Sequence, residues 1–309
     1  MVANNIDKVV DRLESLLARI ETQLPASSAA PDWKKFIAFR WRRSASLFGN
    51  RGHLVGVAYP HKITFNDLKD IDGQKSRLEA NTRQFVQGKS ANNILLTGAR
   101  GTGKSSLVKA ALQRFAKDGL RLIEVDRGDL LDLPEIADLI SGRPERFIIF
   151  SDDLSFEAND PGYKALKSVL DGGISATNDY LLVYATSNRR HLMPEKMSEN
   201  LETKHTEDGE IHPGETTEEK ISLSERFGLW LSFYPFAQQE YLDIVDHWVA
   251  SLAGTRNLNP EAMHKAALLW ALERGSRSGR VAYQFARDWA GQHRGSTKKV
   301  AAKRTTRRK

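Results

Sequence analysis

The apolar positions at the start of the chain follow a helical period. Ile6, Val9, Val10, Leu13, Leu16, Leu17, Ile20 and Leu24 share one face, which predicts an amphipathic helix over residues 4 to about 24. That face can pack on its own domain or pair with another chain. Pro25-Ala-Ser-Ser-Ala-Ala-Pro31 then breaks the pattern as a linker. From Trp33 to Arg43 basic residues interleave with aromatics, a composition suited to stacking on bases and holding phosphates. The spacing of Trp33, Phe36, Ile37, Arg40 and Trp41 also fits a docking helix with one apolar side and solvated Lys and Arg, and this is the preferred reading. Residues 1–60 are therefore expected to form an N-terminal helical segment and linker.

From about residue 65 to 185 the pattern changes to short apolar strands alternating with helices. Strands are expected at residues 93–97, 120–125, 147–150 and 180–185, with a helix from Ser105 to about Lys117. Strands this apolar are usually buried on both faces, as in a parallel sheet. The alternation predicts a doubly wound α/β domain, assigned to residues 61–235. Within it, residues 195–220 carry nine acidic and three basic side chains and almost nothing apolar, and read as a long surface insertion. The following region is helical, with helices expected near 238–252, 260–273 and 279–291, and residues 236–295 are assigned to it.

Composition narrows the class. An apolar fraction of 40% and a charged fraction of 28% in 309 residues are ordinary for a soluble globular protein. The lack of cysteine excludes disulfides and thiolate metal sites and fits a reducing compartment. The early acids Asp7, Asp11 and Glu14 exclude a secretory signal, and no stretch approaches the roughly 18 apolar residues of a membrane helix. The expected location is the cytoplasm, with no membrane partner. The net charge of +7 belongs to the end of the chain: the last twelve residues hold seven Lys or Arg, and without them 39 basic residues face 39 acidic ones. Residues 296–309 thus read as a basic disordered tail, which either solubilises the chain or binds nucleic acid non-specifically through counterion release.

The strongest chemical signal is Gly98-Ala99-Arg100-Gly101-Thr102-Gly103-Lys104-Ser105, followed by Ser106. It fits G-x-x-x-x-G-K-[ST], follows an apolar strand and opens a helix, which is the context its mechanism requires. Backbone N–H groups of such a loop point at phosphate oxygens and the helix N-terminus adds partial positive charge. Lys104 can reach the β- and γ-phosphates of ATP, and the Ser105 hydroxyl can ligate Mg²⁺. The second signal is Arg146-Phe-Ile-Ile-Phe-Ser-Asp152-Asp153. A buried strand ending in carboxylates puts them at the C-terminal edge of the sheet, where ligands of open α/β sheets bind. Asp152 is then the Walker B aspartate at the Mg²⁺. Asp153 is placed to orient an attacking water, with Glu157 as its competitor.

Together these motifs resemble AAA+-type ATPases over roughly residues 65–291. The resemblance implies a P-loop NTPase sheet with a C-terminal α-helical lid, and ATP hydrolysis with Mg²⁺ coupled to conformational change or remodelling of a protein partner. The family typically carries Glu after the Walker B aspartate; Asp153 is one methylene shorter, which bears on hydrolysis rather than binding. In Leu182-Val-Tyr-Ala-Thr186-Ser187-Asn188, Asn188 looks like the sensor 1 residue on the strand between the two Walker motifs. Ser224-Glu-Arg226-Phe-Gly228 is similar to the segment with the arginine finger, so Arg226 would reach into a neighbouring subunit and imply a homo-oligomer. Ser278-Gly279-Arg280 looks like sensor 2, with Arg277 as a substitute, and residues 65–74 resemble the segment flanking adenine, pointing to Ile71 and Gly73. The layout, and above all Asp-Asp-Leu-Ser-Phe-Glu after the third strand, is also similar to an uncharacterised bacterial family of ATP-binding proteins. Two other roles stay open: a nucleic-acid-associated ATPase resembling helicase loaders, and a low-turnover ATP-dependent switch or scaffold.

Overall fold

The computed structural model describes residues 12–15, 31–46, 49–156, 160–171, 179–188, 204–205, 211–212, 224–253 and 259–293. The basic tail and Glu157 lie outside these residues. So do the N-terminal helix, apart from the helical residues 12–15, and most of the acidic insertion. Within that insertion two short strands, β7 (Lys204–His205) and β8 (Ile211–His212), pair antiparallel.

The core is a seven-stranded sheet built from β1 (Ala38–Ser46), β2 (Gly49–Gly56), β3 (Ile94–Gly98), β4 (Leu120–Glu124), β5 (Arg146–Ser151), β6 (Leu181–Ser187) and β9 (Leu229–Phe233). Its order is β2-β1-β4-β5-β6-β3-β9, and only the β1–β2 pair is antiparallel. The apolar runs read from the sequence are buried on both faces, as a parallel sheet requires. On β5, Ile148 and Phe150 join the core beneath one face with Leu107, Ala111 and Tyr184. Phe147 and Ile149 join the other with Leu95, Val183 and Ile136. Strict alternation along the strand makes this division.

Helices close both faces. They are α1 (Asp72–Val86), α2 (Lys104–Phe115), α3 (Leu133–Ile140) and α4 (Pro161–Leu170). The C-terminal helices α5 (Gln238–Ala253), α6 (Pro260–Glu273) and α7 (Gly279–His293) match the expected spans within two residues. The start of α6 is set by Asn259, whose side chain accepts from Glu261 N and Ala262 N, and by Pro260 in the first turn.

One expectation fails. Strands β1 and β2 pair antiparallel as a β-hairpin where a docking helix was expected, so residues 1–60 are not an all-helical segment. In Phe39-Arg40-Trp41-Arg42 the period is two: Phe39 and Trp41 are buried while Arg42 is exposed. A Cβ on Gly52 of β2 would fall 1.8 Å from the Trp41 ring, so glycine there is what admits the indole. The aromatics of this segment are core residues and not a stacking surface: Trp41 is 1% exposed, and its Nε1 donates to Asp132 at 2.8 Å.

Candidate functional site

The loop between β3 and α2 takes its shape from three glycines with positive φ: Gly98 at 125°, Gly101 at 74° and Gly103 at 99°. These are backbone conformations that L side chains rarely adopt. The Thr102 hydroxyl donates to Ala99 O at 2.8 Å, closing the turn on itself. Lys104 is the first residue of α2 and is buried. Its Nζ donates to Gly98 O and Ala99 O, both at 2.7 Å, and to Asn188 Oδ1 at 3.1 Å. Burial lowers the Lys104 pKa from its ordinary value, and the cations Arg100 and Arg280 push the same way against the attraction of Asp152 and Asp153.

Strand order explains the rest of the polar network. β6 lies between β5 and β3, so residues at its C-terminal end reach both the Walker-type loop and the carboxylates after β5. Asp152 Oδ1 accepts from the Ser105 hydroxyl at 2.6 Å and from the Thr186 hydroxyl at 2.5 Å. The backbone N–H of Asp153 donates to Thr186 Oγ1 at 2.9 Å, and Asn188 Nδ2 donates to the Asp153 carboxylate. Asp153 has φ 55°, one of two non-glycine residues with positive φ among those described. Asn188, the residue after β6, therefore bridges Lys104 and Asp153.

This network lies in a cavity of about 970 Å³ between the sheet edge, the segment before α1 and helices α5 and α7. Its wall also carries the apolar side chains of Leu68, Ile71, Ile244, Trp248 and Tyr283, and the last two rings meet edge to face at 4.8 Å. Loop and α7 approach closely: a Cβ on Gly101 would fall 2.8 Å from Ser278 Oγ. A second contact joins α5 to the segment before α1, where His247 Nε2 lies 3.3 Å from Asp67 Oδ1. Burial opposes ionisation of Asp67, and hydrogen bonds from Thr64 and His247 more than offset it, holding its carboxyl below the ordinary value.

Every expected residue from Arg100 to Ser106 lines this cavity, together with Ile71, Asp152, Asp153, Asn188 and Arg280. Gly98 and Ala99 do not, although their carbonyls hold Lys104. Gly73 sits in the first turn of α1, off the wall. Arg277 lines a separate cavity of about 820 Å³ that also touches Ala99 and Thr102, so of the two arginines considered around the start of α7 it is Arg280 that lines the cavity with the loop glycines and carboxylates. Arg226 is also off the wall within its own chain, with Nε 2.5 Å from Asp171 Oδ1. The sequence reading gave no role to Thr186, Trp248, Tyr283 or Ser278. The threonine hydroxyl looks like any strand residue in sequence, and the aromatics sit on helices far along the chain.

The donor set fits magnesium and a polyphosphate. Among the described residues no group of three or more His, Cys, Asp or Glu could hold a metal ion alone. A hydroxyl and a carboxylate converging at 2.6 Å beside three cations instead suit a hard cation that takes its remaining oxygens from water and phosphates. Ser105 and Asp152 would hold Mg²⁺, while the loop N–H groups, Lys104 and Arg280 would hold phosphates.

Among solved structures, the Orc1 protein of Aeropyrum pernix, determined in complex with DNA, is similar, with TM-score 0.53 and 16% sequence identity. The match covers 73% of this chain and 60% of that one, so the chain spans less than two thirds of the Orc1 protein's length. A search of curated proteins gave no match. With the parallel sheet, the glycine loop between β3 and α2 and the C-terminal helices over the cavity, the fold is an α/β P-loop NTPase fold of the AAA+ type. The family model described as protein of unknown function (DUF815) matches residues 34–293, and the chain belongs to that family.

Proposed function

We propose that this protein binds ATP with Mg²⁺ in the cavity at the sheet edge and hydrolyses it, coupling the cycle to movement of the α5–α7 lid and remodelling of a protein partner. One observation carries the reading: Lys104, Arg100 and Arg280 line one cavity around the glycine loop, and Ser105 and Asp152 converge on the same wall at 2.6 Å. Mutual repulsion of three cations is offset by a polyanion in their midst, and the hydroxyl–carboxylate pair provides for its magnesium. Bound Mg²⁺ would neutralise charge on the β- and γ-phosphates. Asp153 would orient the attacking water, and Asn188 would hold Asp153 and the γ-phosphate in register. Arg226 would complete the site of a neighbouring subunit, which makes the active species a homo-oligomer.

The test is ATP hydrolysis per subunit as protein concentration rises, alongside Lys104→Ala and Arg226→Ala and direct ATP binding. A rate that climbs with concentration and collapses in Arg226→Ala, with binding weakened in Lys104→Ala and not in Arg226→Ala, supports the reading. Tight binding with negligible turnover at all concentrations moves the assignment to a nucleotide-dependent switch, with the shorter Asp153 as cause. No ATP binding by the wild-type chain overturns both.

A nucleic-acid-associated role is the second reading. It is supported by the seven basic residues in the last twelve and by the fold's likeness to a protein solved with DNA. Deleting residues 298–309 should then abolish salt-sensitive retention on DNA or RNA, and unchanged retention would remove the tail from that role.

A further inference from the structure

Thr186 is a polar residue at the bottom of the site, 1% exposed, and its hydroxyl does two things at once. The Asp153 N–H can only donate, so at 2.9 Å Thr186 Oγ1 is the acceptor. The single hydroxyl proton is then directed at Asp152 Oδ1, 2.5 Å away. The backbone carbonyl of the same residue accepts from Leu154 N at 2.6 Å. One residue of β6 thus holds three consecutive residues of the turn after β5.

Both consequences bear on the chemistry proposed above. Oδ1 of Asp152 is taken by two hydroxyls, and Oδ2 accepts no hydrogen bond from a described residue, so the carboxylate is oriented rather than left to rotate. Asp153 holds φ 55°, a conformation that persists in a non-glycine residue only when its surroundings fix it. The Thr186–Asp153 hydrogen bond is part of that fixing, and it turns the Asp153 side chain to where Asn188 meets it.

We infer that Thr186 is a positioning residue for the Mg²⁺·ATP site, aiming the Asp152 carboxylate at the cation and holding the Asp153 turn in its left-handed conformation. The inference rests on the proposed Mg²⁺·ATP reading of the cavity. Partners that orient metal-ligating groups typically contribute about 10–100-fold to metal affinity or activity.

The experiment uses the full chain with Mn²⁺ as the spectroscopic stand-in for Mg²⁺. Mn²⁺ affinity of the protein–ATP complex is read by electron paramagnetic resonance, and ATP affinity in EDTA by calorimetry, for the wild type, Thr186→Val and Thr186→Ser. The expected result is a loss of about 10–100-fold in Mn²⁺ affinity in Thr186→Val. ATP affinity in EDTA should stay unchanged, and Thr186→Ser, which keeps the hydroxyl, should stay close to wild type. Two results overturn the inference: wild-type Mn²⁺ affinity in Thr186→Val, or equal impairment of the Val and Ser variants, which would mark a packing role. If Thr186→Val does not fold, Thr186→Ala carries the same comparison. If the wild-type chain binds ATP no better with Mn²⁺ than in EDTA, the underlying reading fails, and this is seen without any variant.

Discussion

The arginines of strand β1 and those of the cavity look alike in the sequence and differ in what faces them. On the hairpin, Arg40 Nη2 lies 2.6 Å from Glu124, Arg42 Nη1 3.0 Å from Asp126, and Arg43 Nε 2.7 Å from Asp132. The aromatic residue among them, Trp41, is buried. At the cavity, Arg100 and Arg280 form no ion pair with a described residue and face a third cation, Lys104. Neutralised cations fix a strand against β4 and the loop after it. Crowded cations, held together by the rigid loop and α7, make a place for an anion. The lesson is that a basic–aromatic stretch says little about nucleic acid until its carboxylate partners are known.

Arg226 tests that contrast most severely, because it has a carboxylate partner in Asp171 and is nonetheless proposed to act on a neighbour's ATP. Arg226→Ala should lower hydrolysis per subunit by about three orders of magnitude, the scale of an arginine finger, with ATP affinity nearly unchanged. A variant whose rate falls less than about twofold would return Arg226 to the class of the hairpin arginines and leave the oligomer without its catalytic reason. Next in size is Lys104→Ala, which removes the buried ammonium and should weaken ATP binding by about 10–100-fold, the usual worth of a charge-assisted hydrogen bond. Arg280→Ala should weaken it less, because Arg280 is not held by the loop carbonyls. The matching hairpin substitution, Arg40→Ala, should leave ATP affinity unchanged, and a drop there would break the comparison.

How far the sequence reached follows the same line. The loop from Gly98 to Ser105 was legible because its chemistry dictates nearly every residue type, and the central strands were legible as apolar runs. β1 was not. Trp33, Phe36, Ile37 and Trp41 satisfy a helical period, while Phe39-Arg40-Trp41-Arg42 alternates, and nothing local decides between them. The decision comes from outside: β4 offers an edge, and Gly52 leaves room for the indole. β9 escaped for a similar reason. Leu229-Trp-Leu-Ser-Phe233 is short, lies between the acidic insertion and Pro235, and is a strand because β3 pairs with it. Thr186 was invisible as a functional residue, since its role exists only once β5 and β6 are neighbours.

Among the carboxylates that face the hairpin the largest effect belongs to Asp132, which accepts from Arg43 at 2.7 Å and from Trp41 at 2.8 Å. The Arg43 hydrogen bond is the main reason its carboxyl sits below the ordinary value of 3.8, with burial opposing and Trp41 assisting. Because the folded pKa lies below the unfolded one, the stabilisation is complete above the ordinary value and is lost as pH falls through the folded value. Asp132→Asn should destabilise the protein by about 1.5–3 kcal/mol near neutral pH, measured by denaturant unfolding. The gap from wild type should narrow as the pH drops below 4. A constant gap across that window would mean the asparagine disturbs packing and not charge.

The smallest effect is expected at Arg42. Its ion pair with Asp126 spans 3.0 Å, but the two side chains are 46% and 58% exposed. Water and salt screen such a pair, and two long side chains lose rotamer freedom in forming it, so exposed pairs contribute about 0.2–1 kcal/mol at most. Arg42→Ala should therefore change stability by less than about 0.5 kcal/mol, and raising the salt should erase even that. The same exposure gives Arg42 better access to a polyanion than Arg40 or Arg43, at 42% and 32%. Retention of the Arg42→Ala chain on DNA at low salt is thus the sensitive measurement. Unchanged retention keeps Asp126 as the partner that matters and the hairpin as a structural element. A clear loss would show that an exposed carboxylate at 3.0 Å does not neutralise an arginine against a phosphate backbone, and the hairpin would join the cavity as a surface for anions.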